Sequence, residues 1–246
     1  MRRTALLAIL AVFPTLLSPS LTGCKVDNTT KNAENLDASK TTPGAESPTI
    51  APQPKSQPTP VNDHRPVIVC FGDSLTEGHG TDFGKSYPDF LQSDLDARDY
   101  HYRVVNLGIS GNTTKDGVER LDEVLALKPA IVVVEFGGND GLRGLRIEDT
   151  RANLNKIVST LKSSGTKVVL AGITLPPDYG PDYIQQFNQT YTLLAKKYDV
   201  PLLPFLLKGV FGVDGMMQRD NTHATAEGNK IVASNVLPLI VPLLKK

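Results

Sequence analysis

Residues 67–74 read VIVCFGDS, and this stretch decides the fold of the chain. It opens with five apolar residues in succession, a pattern that predicts a strand covered on both faces, as in a parallel sheet. The run ends at Gly72, and Asp73 and Ser74 follow directly. Ligands of open α/β sheets bind beyond the carboxyl ends of the strands, so Ser74 lies where chemistry is expected.

Similar apolar runs recur further along the chain. The predicted strands cover residues 67–71, 102–107, 130–136, 167–171 and 200–203. Their continuous hydrophobicity, without alternation, indicates that both faces of the sheet are covered. The sequence therefore predicts one parallel sheet with five strands.

Helical spacing separates these strands. The clearest apolar stripe, at i, i+3, i+4 and i+7, lies in residues 154–161, and Gly165 follows where a C-terminal cap is expected. Further helices are predicted at residues 118–125 and 183–198, and a last one at 225–237, whose end two prolines leave open. Strands that alternate with helices predict right-handed crossovers and a three-layer α/β/α sandwich.

Composition narrows the classes of function. The chain has 26 basic and 26 acidic residues and no net charge, which gives no electrostatic reason to expect nucleic acid as a partner. Apolar residues make up 40% of the chain, enough for one ordinary core, and tryptophan is absent. Of the two cysteines, Cys70 lies in a predicted buried strand and is expected to pack as a small hydrophobic side chain.

The first 24 residues predict a targeting segment. Arg2 and Arg3 precede an apolar stretch at residues 4–17, which is shorter than the ~20 residues that a membrane-spanning helix needs. The segment ends Leu-Thr-Gly-Cys24, which resembles a bacterial lipobox whose cysteine is lipidated; the alternative is an ordinary signal peptide. Several acyl chains on one residue anchor a protein stably. Because Lys25 follows the cysteine, the resemblance implies an exported lipoprotein on the periplasmic side of the outer membrane.

Residues 25–63 predict a disordered tether between the membrane and the folded domain at residues 64–246. Proline, serine, threonine, lysine and asparagine dominate this segment, and aromatic residues are absent from it. Such a composition cannot bury enough apolar surface to offset the entropy of ordering the chain. We therefore expect a flexible or polyproline-like spacer.

The loop after the first strand, Gly72-Asp73-Ser74, places a serine where a nucleophile would be exposed. Thr76 stands where the nucleophile elbow of α/β-hydrolases has its second glycine, which argues against that fold. A serine that merely caps the next helix is the structural alternative.

Two more loops carry candidate groups. The glycine-rich loop at residues 106–114 lacks the Gly-Lys-[Ser/Thr] of a phosphate-binding loop, so a glycine whose N–H faces a reacting group is the better interpretation. Residues 137–140 read GGND, and the Asn139 amide is a neutral donor that can stabilise an oxyanion. The alternative for Asn139 is a simple Asx turn.

Asp220 and His223 lie three residues apart near the C-terminus. At this spacing the carboxylate can accept a hydrogen from one imidazole nitrogen, which leaves the other free to take a serine proton. Of the other histidines, His79 lies in a polar loop near Ser74 and is the alternative base.

Taken together, these blocks resemble the SGNH, or GDSL, hydrolases, whose four blocks centre on Ser, Gly, Asn and His. The matching positions here are Ser74, Gly111, Asn139 and His223. The chain also resembles the bacterial thioesterase I/protease I/lysophospholipase group, often called arylesterases, in the segments FGGNDGLRGL (136–145), LPPDYG (175–180) and VPLLPF (200–205). One departure is Ala224, where many relatives have proline after the histidine.

The resemblance implies a flavodoxin-like five-stranded sheet and a serine esterase that acts on aryl, short- to medium-chain acyl, lysophospholipid or thioester substrates. Ser74, His223 and Asp220 would form the catalytic triad, and the oxyanion would meet the N–H groups of Ser74 and Gly111 and the Asn139 amide. The acyl site is expected to be bordered by Leu142, Leu145, Leu175 and Pro176.

No metal or cofactor is implied, and a monomer is the expected oligomeric state. Two other functions stay open at this point. One is an esterase that removes O-acetyl groups from cell-wall or other polysaccharide, and the other is a lipoprotein binding module without catalytic activity.

Overall fold

Residues 63–245 are described by the computed structural model of the protein. The predictions for the targeting segment, for Cys24 and for the tether lie outside the described residues, apart from the last residue of the tether. Within residues 63–245, no helix combines the length and the apolar character that a membrane span requires.

A parallel sheet of five strands forms the centre of the described region. The strands are β1 (Val67–Gly72), β2 (Arg103–Gly108), β3 (Ile131–Glu135), β4 (Lys167–Ala171) and β5 (Leu202–Leu203). They are ordered β2-β1-β3-β4-β5, and each neighbouring pair is parallel. This arrangement confirms the predicted five-stranded, flavodoxin-like sheet.

Eight α-helices accompany the sheet in residues 63–245. They are α1 (Ser74–Glu77), α2 (Tyr87–Asp96), α3 (Thr114–Glu119), α4 (Leu121–Ala126), α5 (Gly138–Leu142), α6 (Ile147–Ser163), α7 (Pro181–Tyr198) and α8 (Ala226–Ile240). Short 3₁₀ turns cover Pro177–Tyr179 and Val241–Leu243.

The helices form two groups on the two faces of the sheet. The connection from β1 to β2 runs in one direction across the sheet, whereas the connections from β3 to β5 run in the other. Because such crossovers are right-handed, the reversal places their helices on opposite faces. Accordingly, α2 packs against α8, while α3 packs against α6 and α6 against α7.

Three helical boundaries differ from expectation. The helix predicted after β2 is broken at Arg120, whose ψ of 6° interrupts the regular turn and separates α3 from α4. The last helix continues through Pro238 to Ile240, because buried side chains on both sides of the proline hold it against the core. Helix α2 is not among the predicted helices, although its buried residues Tyr87 and Leu91 have helical spacing.

The core is continuous around the two central strands. β1 and β3 are buried along their whole length. The free thiol of Cys70 lies in β1 with no exposed surface, and burial raises its pKa to about 12. A thiol in such surroundings is inert and packs as a small apolar group, as the sequence predicts for this residue.

Candidate active site

Ser74 lies one residue beyond the turn that ends β1, at the first position of α1. Asp73 is the N-cap of this helix, and its carboxylate accepts a hydrogen bond of 3.0 Å from the backbone N–H of Leu75. Short polar side chains stabilise helix starts in this way. The cap fixes the turn that directs Ser74 toward the carboxyl edge of the sheet.

A loop closed by backbone hydrogen bonds places the His223 imidazole at the same edge of the sheet. Met217 pairs with Ala224 in an antiparallel bridge, and the N–H of Gln218 donates to the carbonyl of His223 over 2.8 Å. The loop between these contacts must reverse direction, and Asn221 allows this with a positive φ of 53°. His223 therefore lies at the end of a closed loop, just before α8 begins.

Asp220 folds back over the same loop. Its Oδ1 accepts hydrogen bonds from the backbone N–H groups of Thr222 at 2.9 Å and His223 at 3.1 Å. Its Oδ2 lies 2.7 Å from Nδ1 of the His223 ring. The backbone contacts hold the carboxylate in place, so the three-residue spacing gives the geometry that the sequence predicts.

The structure brings Ser74, His223 and Asp220 into one line of hydrogen bonds. The Ser74 Oγ lies 2.8 Å from His223 Nε2, on the side of the ring opposite Asp220. Because a carboxylate only accepts, Nδ1 of His223 donates to Asp220, and in the neutral ring Nε2 is then the acceptor for the Ser74 hydroxyl.

The charge of Asp220 suits this role. Partial burial raises the pKa of its carboxyl, but hydrogen bonds from the His223 ring and from two backbone N–H groups outweigh burial, and the net effect lowers the pKa from 3.8 to about 2. Asp220 is therefore a carboxylate throughout the neutral range and can stabilise positive charge on His223.

Gly111 supplies a backbone N–H at this edge. Its φ of 80° is in the left-handed region that favours glycine, and its carbonyl accepts a 2.9 Å hydrogen bond from Arg143. Among residues 63–245, no acceptor pairs with the N–H groups of Ser74 and Gly111, and both residues line the same cavity. Two unpaired donors beside a nucleophile can stabilise an oxyanion.

The third candidate donor, Asn139, is already oriented. Its Nδ2 lies 3.0 Å from the carbonyl of Asn112 and 3.2 Å from Oδ2 of Asp73. These two acceptors fix the plane of the amide at the cavity wall. The Asp73 carboxylate is a charged acceptor and keeps one amide hydrogen, whereas the hydrogen on the neutral Asn112 carbonyl can turn to a stronger acceptor such as an oxyanion.

A cavity of about 330 Å³ opens beside Ser74. Three of the four expected acyl-site residues line it, namely Leu142, Leu175 and Pro176. Leu145 does not line the cavity; its side chain is 41% exposed and its carbonyl accepts a hydrogen bond from the hydroxyl of Tyr183.

Several apolar residues that line the cavity are not predicted from the sequence. These are Leu75, Ile173, Phe205, Leu207 and Phe211. Ile173 follows β4, and the last three follow β5, so the expectation that the loops after the strands form the site could have found them. Phe205 and Phe211 contact each other edge to face, with ring centroids 6.2 Å apart.

His79, the alternative base, lies against the His223 ring rather than in its place. The two ring centroids are 4.6 Å apart. The His79 Nδ1 contacts Oγ of Ser110 at 3.0 Å, and Ser110 in turn bonds to the carboxylate of Glu77. The hydrogen bond to Ser74 is made by His223.

Comparisons with known proteins identify the family to which the folded region is similar. Residues 70–231 match the family described as "GDSL-like Lipase/Acylhydrolase family". Esterase TesA of Pseudomonas aeruginosa is 43% identical over 179 residues, which cover 72% of this chain and 89% of that protein. Thioesterase 1/protease 1/lysophospholipase L1 of Escherichia coli strain K12 is 34% identical over 179 residues, or 72% of this chain and 85% of its own length.

A solved structure extends the similarity to three dimensions. The crystal structure of TesA aligns with a TM-score of 0.70 at 42% sequence identity. The alignment covers 72% of this chain and 99% of that one.

Proposed function

The chain belongs to the GDSL-like lipase/acylhydrolase family, and we propose that it hydrolyses carboxylic esters with Ser74 as the nucleophile. The observation that carries this proposal is the pair of contacts on one imidazole, 2.8 Å from Ser74 Oγ to His223 Nε2 and 2.7 Å from His223 Nδ1 to Asp220. An imidazole held in this way activates a hydroxyl that is otherwise a weak nucleophile.

Acylation begins when Ser74 Oγ attacks the carbonyl carbon of an ester. His223 Nε2 takes the hydroxyl proton, and the carbonyl oxygen becomes an oxyanion. The N–H groups of Ser74 and Gly111 and the amide of Asn139 donate to it. Within the described part of the chain, the two N–H groups are unpaired before the reaction and Asn139 exchanges only its bond to the Asn112 carbonyl, so little reorganisation is needed. The intermediate collapses, His223 gives its proton to the leaving alcohol, and the acyl group stays on Ser74.

Deacylation repeats these steps with water. His223, neutral again, removes a proton from a water molecule that attacks the acyl-enzyme carbonyl. The same three donors meet the second oxyanion, and the proton then passes from His223 to Ser74 Oγ as the carboxylic acid leaves. Asp220 holds the ring in one tautomer through both halves and stabilises its charged form.

The residues that line the cavity support the proposal that it binds an apolar acyl or aryl group of the substrate. Leucine, isoleucine, proline and phenylalanine side chains line the cavity together with the polar groups around Ser74. A largely apolar cleft with a few convergent polar groups is typical of a small-molecule site. Esterase and thioesterase/lysophospholipase relatives support the same class of substrate.

A substrate panel on the full chain tests this proposal. We expect p-nitrophenyl butyrate to octanoate and phenyl esters to be hydrolysed with a higher kcat/KM than acetylated xylan. A preference for the acetylated polysaccharide would instead favour the O-acetyl esterase. Absence of turnover on every ester, together with no labelling of Ser74 by a fluorophosphonate, would favour a binding module.

We also propose that the chain is an exported lipoprotein anchored through Cys24. The short apolar segment and the lipobox-like sequence before this residue support the proposal. Radioactive palmitate should label the wild-type chain and not a Cys24→Ala variant, and the variant should leave the membrane fraction. Equal labelling of both chains would reject lipidation at this cysteine.

A monomer is the oligomeric state we propose for the folded domain. Light scattering after size-exclusion chromatography in detergent should give the mass of one chain, and a mass of two chains would reject this.

A further inference from the structure

Two buried acids lie directly behind the candidate oxyanion donors. Asp73 follows β1 and Glu135 ends β3, and their side chains are 2% and 0% exposed. β1 and β3 are neighbours, with Gly72 opposite Glu135. A Cβ at Gly72 would lie 2.6 Å from the Glu135 carboxyl, so only glycine leaves room for this acid between the strand ends.

The hydrogen bonds of Glu135 leave part of its carboxyl without a donor. Its Oε2 accepts from the hydroxyl of Thr76 at 2.8 Å and from the N–H of Asp73 at 3.4 Å. Its Oε1 is buried and, among residues 63–245, has no donor. The Glu135 and Asp73 side chains are within hydrogen-bonding contact of each other. A carboxyl with a donor-free buried oxygen beside a second carboxyl is best satisfied as a neutral acid that donates to that neighbour.

Burial and the repulsion between the Asp73 and Glu135 carboxylates both favour protonation of the pair. Burial raises the pKa of Asp73 to about 6, and burial, followed by the charge of the nearby Asp73, raises the pKa of Glu135 well above its usual value. The titratable groups that face the pair are the hydroxyls of Tyr87 and Tyr191 and the ring of His223. The phenols are neutral at pH 7–8 and add no charge. Because Asp73 accepts two hydrogen bonds whereas Oε1 of Glu135 accepts none within residues 63–245, a proton shared by the pair is best placed on Glu135.

The Asp73 carboxylate accepts two hydrogen bonds from groups beside the active site. Its Oδ2 accepts from Asn139 Nδ2 at 3.2 Å, and its Oδ1 accepts from the N–H of Leu75 at 3.0 Å. One carboxylate thus holds the amide donor with one oxygen and the start of the Ser74 helix with the other.

We propose that Glu135 is a positioning residue, which as a neutral acid donates to Asp73 and thereby fixes the carboxylate that orients the Asn139 amide. Glu135 touches neither substrate nor the reacting atoms and acts through Asp73. The inference rests on the proposed esterase function, because turnover is its readout. A buried pair of acids does not improve the stability of the fold, because well-packed apolar residues in its place would give equal or greater stability.

Two substitutions in the full chain separate the proton from the packing. Glu135→Gln keeps the shape, the acceptor for Thr76 and a donor toward Asp73, so kcat on p-nitrophenyl butyrate at pH 8 should stay within about threefold of wild type. Glu135→Leu fills a similar volume without a donor, and kcat should fall by about 10- to 100-fold while KM changes by less than about twofold. If both variants lose equal activity, or Leu keeps full activity, the inference is wrong.

Asp73→Asn is an independent variant should the Leu protein not fold. It removes the charge and keeps the shape, so we expect kcat to fall by about 10-fold or more while the Tm is unchanged or higher, because a buried charge is gone. Loss of activity with a parallel loss of Tm would indicate a structural role and reject the inference.

A double-mutant cycle tests whether Glu135 acts through the amide. In an Asn139→Ala background, replacing Glu135 with leucine should lower kcat by much less than in the wild-type chain, because the group being positioned is absent. Equal effects in both backgrounds would reject the proposal. Ser74→Ala separates this failure from that of the function itself: if turnover does not depend on Ser74, the esterase proposal falls as well.

Discussion

Two groups of serine, histidine and acid meet at the cavity, and they differ in the order of their hydrogen bonds. In the trio that we propose to be catalytic, Ser74, His223 and Asp220 (the catalytic trio), the imidazole lies between the serine and the acid. In the second trio, Ser110, His79 and Glu77, the serine lies between the imidazole and the acid. The two imidazole rings are only 4.6 Å apart. The same three residue types therefore give two different arrangements side by side.

The order matters because a serine hydroxyl has one hydrogen. In the second trio a carboxylate oxygen of Glu77 accepts from both the hydroxyl and the N–H of Ser110. The hydroxyl oxygen can then only accept from Nδ1 of His79, so this imidazole cannot remove its proton. The second trio holds the loop just before Gly111, whereas the catalytic trio leaves Ser74 able to lose its proton to a base. The comparison predicts that the first trio controls turnover and the second controls stability.

The serines should give the largest contrast. Ser74→Ala removes the nucleophile, and kcat on p-nitrophenyl butyrate should fall on the order of 10⁴-fold or more. Ser110→Ala is the matched control, with a fall of less than about 10-fold, because Ser110 only supports the loop. Fluorophosphonate should label the Ser110 variant and not the Ser74 variant. Comparable losses in both would mean that the order of hydrogen bonds does not decide the nucleophile.

The histidines test which ring is the base. His223→Ala should lower kcat by about 10³-fold or more, since His223 is the base that contacts Ser74 Oγ among residues 63–245. His79→Ala should lower it by only a few-fold, through loss of packing against the neighbouring ring. An active His223 variant with an inactive His79 variant would transfer the role of base to His79 and leave Ser74 as nucleophile.

For the acids of the two trios, we expect the larger loss of stability in the second trio, although the catalytic trio gives the larger losses of turnover. Glu77 is 8% exposed, and Glu77→Ala would leave the partly buried N–H of Ser110 without its acceptor, at a cost of about 1–3 kcal/mol in the free energy of unfolding. The Asp220 side chain is 44% exposed, so Asp220→Ala should cost less than about 1 kcal/mol. Urea unfolding of both variants measures this, and a larger loss for the Asp220 variant would contradict the division of roles.

The difference between the trios also explains what sequence could predict. Ser74 and Asn139 each follow the end of a buried strand, and Asp220 and His223 are three residues apart, so local patterns marked them. The contacts of the second trio join Glu77 and His79 to a residue more than 30 positions away, and no spacing rule describes them.

Other parts of the fold show the same limit. The strands were predictable because continuous apolar runs are strong local signals. The break at Arg120 and the passage of α8 through Pro238 depend on tertiary packing, which overrides local preference. The cavity wall formed by Phe205 and Phe211 was not predicted, because an apolar residue in a loop does not reveal which surface it covers.

The smallest expected effect is the pH dependence of the Asp220 contribution to stability. Its pKa is lowered from 3.8 to about 2 in the folded protein, so folding favours the carboxylate. A depressed carboxyl pKa contributes stability above the unfolded value, and this contribution is lost as pH falls from about 4 toward 2. The urea midpoint of wild type should therefore exceed that of Asp220→Asn at pH 5, and the difference should shrink by pH 2.5.

Asp149→Asn, on the exposed surface of α6, controls for the general effect of removing a carboxylate, and its difference from wild type should vary less over this range. A gap between wild type and Asp220→Asn that stays constant or widens toward pH 2.5 would mean that the His223 contact does not favour the charged form of Asp220. Asp220 would then orient the His223 ring without stabilising its positive charge. This electrostatic difference between the catalytic trio and the second trio would not exist.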